Sequence, residues 1–323
     1  MLTFIDENSY IFVTNSKLKI NFGPYNLKYD EEEEEITRQA MKSWLTSNSP
    51  TLQNIKRVFT KIQNLFICGK FGITYDMTNK NTTVKEVIEA PEFKNFKALH
   101  VFGVKCTTKE MDYLMENIQA DQDLHIQEGE IPEDYNHPNL FKFTGIHYCD
   151  SRWIHLEHLL SIKDNYIITL GKNNLSPTDI NKFLMHWVNS ENDLFTMFHI
   201  DRAQGVPLKL NELFNDLVVL RVIRKGCWCW LIAVKSPEFR TKQLLHLNWN
   251  RETIYMNAIS INGKLKTRDS EEYQFAPEFH ILKMLERKKS LTHELNDTKE
   301  ILEINMELQK KGVYYDRGLP TVT

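Results

Sequence analysis

Four metal-capable side chains, His147, Cys149, His155 and His158, fall within one short stretch of this chain. Zinc needs a thiolate and neutral imidazoles brought into a tetrahedral cage. The spacing H-x-C-x5-H-x2-H matches no common structural zinc site. His155 and His158 read as helical and Cys149 as part of the preceding loop, so ordinary surface and loop histidines are expected. A second cluster is Cys227-Trp-Cys-Trp230. A C-x-C pair lacks the two-residue spacer of zinc ribbons and thioredoxin-type redox sites. In a strand, Cys227, Cys229 and Leu231 point one way, Trp228 and Trp230 the other. Two readings stand: tryptophans buried under a helix, or an aromatic patch for a protein partner. On the second, Trp228 and Trp230 are the candidate partner-binding residues. The acidic run 30–35 reads as a solvated helix N-terminus. The sequence contains no G-x-x-x-x-G-K-[ST], G-x-G-x-x-G, H-E-x-x-H or G-x-S-x-G. No catalytic, cofactor-binding or metal-binding residue is assigned, and the expectation is a protein that is not an enzyme and carries no cofactor.

Composition narrows the class. The 323 residues are 41% hydrophobic and 26% charged, with net charge −3, which is ordinary globular usage. No basic stripe marks a nucleic-acid-binding face. The first residues lack a basic n-region and apolar core, so no signal peptide is expected. The longest apolar run, 227–234, is far short of the roughly 20 residues that span a bilayer. These features predict a soluble intracellular protein, cytoplasmic or nuclear, with no nucleic-acid or membrane partner. Five cysteines, an odd number mostly beside strand-like segments, read as buried thiols rather than disulfides.

A small phrase recurs: an apolar–x–apolar strand followed closely by glycine. The copies end at Gly69, Gly103, Gly129, Gly145 and Gly171. Helices fit between several of them. Thr107 and Glu110 form a capping-box pattern, followed by Met111, Leu114, Met115 and Ile118 on one helical face. A further helix is predicted from near Ser151, with Trp153, Leu156, Leu159 and Leu160 inward. Ahead of the repeats, Ile36, Ala40, Met41, Trp44 and Leu45 make one helical face, and Leu52, Ile55, Phe59 and Ile62 another. The clearest unit spans 166–200. A strand at 166–170 precedes Ser176 as N-cap, Pro177 at the first helical position and Asp179 in the first turn. Ile180, Phe183, Leu184, Trp187 and Val188 then share a face. The strand 194–200, apolar on both faces, completes a β–α–β crossover to a parallel neighbour.

The expected fold class is α/β: an irregular leucine-rich-repeat-like stack of parallel strands and helices, with an open α/β sheet as competitor. Ile62-x-x-Leu65-x-Ile67 and Phe96-x-x-Leu99-x-Val101 echo the strands of such repeats. An antiparallel strand pair in 3–22 precedes the stack, within an N-terminal region 1–60. The repeat-like region runs over 61–235, and 236–277 is an irregular strand region. One long amphipathic helix is expected over 278–311, then a tail within 278–323.

Leu175-Ser-Pro-Thr-Asp-Ile-Asn-Lys-Phe-Leu-Met-His-Trp-Val188 resembles the signature of the nematode F-box-associated domain, type 2. Asp179, Asn181, Phe183, Leu184 and Trp187 match it, with Leu194 following at a suitable distance. Arg221-Val-Ile-Arg-Lys-Gly226 with Leu231-Ile-Ala-Val234 is similar to the family's later arginine–glycine strand, Lys225 replacing the usual acidic residue. The resemblance covers about 160–235. It implies a protein-interaction module like the substrate-recognition region of F-box proteins in cullin-RING ubiquitin ligases. Such proteins dock on the ligase adaptor through an N-terminal F-box. Here the first residues already read as strands and no Leu-Pro-rich three-helix segment is seen, so the adaptor-binding F-box is expected to be missing and the adaptor is not an expected direct partner. The matching residues read as structural: Phe183, Leu184 and Trp187 core, Asp179 helix start, Asn181 bonded to a neighbouring turn. A scaffold self-associating through 278–311, or an enzyme with an unrecognised site, are the alternatives.

Overall fold

A computed structural model of the chain describes residues 2–5, 9–13, 18–22, 51–65, 71–76, 83–202, 208–224, 227–266, 272–293 and 298–323. The acidic run 30–35 and the helical face predicted over 36–45 lie outside them. Contacts divide the chain into two units, Met1–Trp153 and Ile154–Thr323.

The first unit is a mixed α/β body. Strands β1 (Leu2–Ile5), β2 (Ser9–Val13) and β3 (Leu18–Phe22) are antiparallel, with Val13 opposite Leu18, as the alternation in 3–22 predicts. Strands β4 (Gly72–Asp76), β5 (Ala98–Lys105), β6 (Asp123–Glu130) and β7 (Gly145–Asp150) are parallel. The spatial order is β7-β6-β5-β4-β1-β2-β3. Alternate residues of the parallel strands, Ile73, Leu99, Val101, Leu124, Ile126, Ile146 and Tyr148, are buried. The helix Thr108–Asn117 starts at the expected box: Thr107 Oγ1 accepts from the Glu110 N–H, and the Glu110 carboxylate accepts from the Thr107 N–H. It buries Met111, Leu114 and Met115. In the helix Thr51–Leu65, Phe59 is buried against Phe71 and Phe93.

Two of the strand–glycine phrases do not begin as strands. Ile62 and Leu65 lie in a helix, so the apparent repeat starts in helix; 66–70 lie outside the described residues, and β4 begins at Gly72. Residues 141–144 are a turn that buries Phe141 and Phe143, and Gly145 begins the strand instead of closing it. The glycine is there because it faces Asp123 across the sheet: a Cβ at 145 would lie 2.7 Å from Asp123 Oδ1.

In the second unit the 166–200 crossover is present. Strands β8 (Asn165–Lys172) and β9 (Phe195–Asp201) are parallel neighbours, Ile168 beside Phe198, and the helix Pro177–Asn189 connects them. Ser176 caps that helix through the Asp179 N–H, at 3.1 Å. Its buried face is the predicted one, and Phe183 packs on Phe195 and Phe198. The predicted helix after Ser151 is one turn, Leu156–Leu159, so Leu160 is exposed instead of inward.

Beyond β9 come β10 (Leu220–Arg224), β11 (Cys227–Ala233), β12 (Leu244–Trp249) and β13 (Thr253–Ile259), antiparallel from one to the next. Strands β14 (Lys264–Lys266) and β15 (Glu272–Gln274) form a separate hairpin. Strands β16 (Tyr314–Asp316) and β17 (Leu319–Val322) close the chain. The order is β16-β17-β10-β11-β12-β13-β9-β8. The region expected as one long helix is two, Ala276–His293 and Thr298–Lys310. Arg287 and Glu300 are ion-paired at 2.8 Å. Thirteen residues of one continuous helix would hold them about 20 Å apart. The first of these helices spends its apolar side inside, where Phe279, Leu282 and Leu285 join Leu220, Leu231 and Leu244. The expected tail is the β16–β17 hairpin, with β17 parallel to β10. Its turn, Arg317-Gly318, has φ of 50° and 81°, the paired positive values of a two-residue hairpin.

Candidate aromatic and histidine surfaces

The Cys227-Trp-Cys-Trp230 segment is a strand, as alternation requires, and the two tryptophans share a face with rings 4.4 Å apart. They do not share an environment. Trp230 is 3% exposed and Trp228 is 41% exposed. Trp249 at the end of β12 stacks on Trp230 at 3.8 Å and meets Trp228 edge-on at 5.3 Å. Phe214 closes the group against Trp230 and Trp249. Trp228 is thus an apolar ring held at the surface by two others. Trp230 has almost no surface to offer and serves as its floor. The Trp230 Nε1–H has no hydrogen-bond partner among the described residues, a cost of about 1–3 kcal/mol that the packing offsets.

Cys106 is buried, and burial raises its thiol to about 12, far from a reactive thiolate. Cys149 is exposed, contrary to the expectation of buried thiols, and Cys229 is half-buried. Cys68 lies outside the described residues.

The four metal-capable residues separate into different settings. His155 and His158 stack at the start of the one-turn helix, where His158 Nδ1 accepts from the His155 N–H at 3.0 Å. His147 belongs to a different group. It sits in register with His125 on β6, which is in register with His100 on β5 and, beyond that, Thr74 on β4. The ring centroids are 4.5 and 5.8 Å apart. Sequence alone gave no signal of this rung, because each histidine is isolated along the chain and only parallel register aligns them. The rung lies on the strand positions alternate to the buried ones and is half-buried. Burial depresses the pKa of His125 to about 4, helped by His100 and His147, and burial also lowers that of His100. His125 is therefore neutral at pH 7. Among the described residues no group of three His, Cys, Asp or Glu side chains is placed to hold a metal ion.

The residues that carry the sequence resemblance are structural. Asn181 Nδ2 donates to the backbone oxygens of Leu213 and Asn215, both at 2.9 Å, tying the helix to the turn after β9. Trp187 is buried with the Arg240 guanidinium 4.2 Å over its ring. Arg240 donates to the Trp187 carbonyl at 2.7 Å and to Asp193 at 3.2 Å.

Residues 136–200 match the F-box associated family. The stretch takes in β7, β8, the Pro177–Asn189 helix and nearly all of β9, so it begins earlier than the sequence resemblance and ends before the 221–234 hairpin. No curated protein and no solved structure matches the chain.

Proposed function

We propose that this chain, with residues 136–200 as its F-box associated segment, is a protein-interaction module of the kind that presents substrates to cullin-RING ubiquitin ligases. The observation that carries the binding reading is Trp228: a large apolar ring, exposed, yet fixed by Trp230 and Trp249. Rigid surface tryptophans are the side chains on which protein interfaces concentrate binding energy. The strand–helix units around the parallel β4–β7 and β8–β9 strands support a leucine-rich-repeat-like reading, in which helices cover one side of a sheet and the other side is left for partners. No helix among the described residues is long and apolar enough to cross a membrane.

The test places a photo-cross-linking amino acid at position 228 and, as control, at exposed Lys109 in the full chain. The proposal expects one dominant adduct from position 228, and ubiquitination of that adducted protein that depends on this chain. Equal, non-specific adducts from both positions would overturn the binding reading; a specific partner that is never ubiquitinated would overturn the ligase reading alone.

A self-associating scaffold has one observation in its favour: Leu302 and Met306, one turn apart on the helix Thr298–Lys310, are both exposed. L302E/M306E with light scattering decides it, since an unchanged oligomeric state removes that reading.

A further inference from the structure

A groove of about 370 Å³ lies in the second unit, away from Trp228 but joined to its cluster through Phe214. Leu217, Val219, Leu285, Leu319 and Pro320 make the rest of its floor. Its charged lining is Lys288 and Lys289, with no carboxylate. Lys288 Nζ donates to the Tyr315 hydroxyl at 3.2 Å, and Lys289 Nζ to the Asp216 carbonyl at 2.8 Å. These are neutral acceptors, so both positive charges stay uncompensated by any ion pair among the described residues. Two acids beside the lining residues have partners of their own: Asp316 pairs with Arg221 at 2.5 Å, and the Asp216 carboxylate accepts from Asn215 at 3.0 Å. An apolar floor under two free cations complements an occupant that is apolar and acidic at once.

The rim of the groove says what shape that occupant has. Tyr315, Gly318 and Pro320 belong to the β16–β17 hairpin, and among the described residues β16 is the edge strand of the unit's sheet. Pro320, which has no N–H, stands opposite Tyr315. That pair is therefore the non-hydrogen-bonded kind, and the N–H and C=O of Tyr315 point away from β17 toward the open edge. An edge with outward main-chain groups is a template for one more strand. Both edge tyrosines are exposed.

We propose that this groove takes an extended acidic–apolar peptide segment of a partner protein, laid along β16 with an apolar side chain on the Phe214–Pro320 floor and a carboxylate at Lys288 and Lys289. The inference rests on the protein-binding reading above and names a partner chemistry for a second contact surface. A phage-displayed library of random nonapeptides is selected on the full chain, and the most enriched peptide is synthesised and titrated by fluorescence polarisation. The expected consensus has an acidic residue near a bulky apolar one. K288E/K289E is expected to weaken binding by roughly tenfold or more, with K288Q/K289Q as the second variant should charge reversal disturb folding, and W228A to leave it within about twofold. No enrichment, enrichment without acidic preference, or affinity unchanged in both lysine variants would overturn the groove. Loss of the peptide in W228A alone would also overturn it while leaving the protein-binding reading in place.

Discussion

Removing Asp193 should cost more stability than removing Asp193 and its buried partner together. Arg240 has a fully buried side chain, and Asp193 is the carboxylate that meets it. Asp193 also accepts from the Lys242 N–H at 3.1 Å and from the Thr241 hydroxyl. One Arg240 nitrogen, Nη2, already lacks a partner among the described residues. In D193A the guanidinium keeps its contact with Trp187 but loses its counter-charge, and an uncompensated buried charge costs about 3–5 kcal/mol. In D193A/R240M the charge is gone and methionine fills much of the arginine stem's space, so the loss should fall to about 2–3 kcal/mol. At about 2–4 °C per kcal/mol for a unit of this size, D193A should melt roughly 6–20 °C lower than the parent, with the double variant between them. Calorimetry on the full chain reads both. The acid limb gives a second check. Burial pushes the Asp193 carboxyl up, but the bonds from Thr241, Lys242 and Arg240 together outweigh it and hold it below its ordinary 3.8. Its contribution is present above that value and is lost as pH falls through the lower folded pKa. D193A should therefore lose less stability between pH 4 and 2 than the parent. A D193A cost under about 1 kcal/mol, or a double variant no more stable than D193A, would refute the reasoning.

Three other outcomes follow from the same structure. His125 binds its proton more weakly folded than unfolded, at about 4 against 6.5, so its contribution is fully present above pH 6.5 and is lost as pH falls to 4, by up to about 3 kcal/mol; urea unfolding of H125Q against pH should show a flatter acid limb than the parent. N181A strips the donor from the carbonyls of Leu213 and Asn215 and should cost about 2–4 kcal/mol in urea unfolding, whereas S176A should cost about 1 kcal/mol. G145A places a methyl against the Asp123 side chain and should destabilise by about 1–3 kcal/mol in urea unfolding; a neutral result would show that this side chain does not confine position 145.

What could be read from the sequence was local, and what could not depended on register. Ser176, Pro177 and the spacing from Ile180 to Val188 define a helix without help from the rest of the chain, and two-faced apolarity in the strand after it signals a buried parallel neighbour. The split in 276–310 is not legible in the sequence because 278–310 contains no Pro or Gly, although Asn296 and Asp297 are N-cap residue types just before Thr298. The closing hairpin is not legible because Arg-Gly is a weaker turn signal than Asn-Gly. Phe141-Lys-Phe-Thr-Gly145 alternates like a strand yet forms a turn, since tertiary burial of Phe141 and Phe143 overrides a period of two. The histidine rung, the difference between Trp228 and Trp230, and the lysine-rimmed groove arise from strands and helices far apart in sequence. No local pattern encodes them.

The central claim is that Trp228 is the anchor of a protein interface. Its exposed 41% is about 100 Å² of a ring system that presents about 250 Å², worth about 2.5 kcal/mol when covered, or roughly 60-fold in affinity. Titration calorimetry of the purified partner identified by cross-linking at position 228 should show folded W228A binding about 60-fold more weakly than the parent. Equal affinity for parent and W228A would contradict the account.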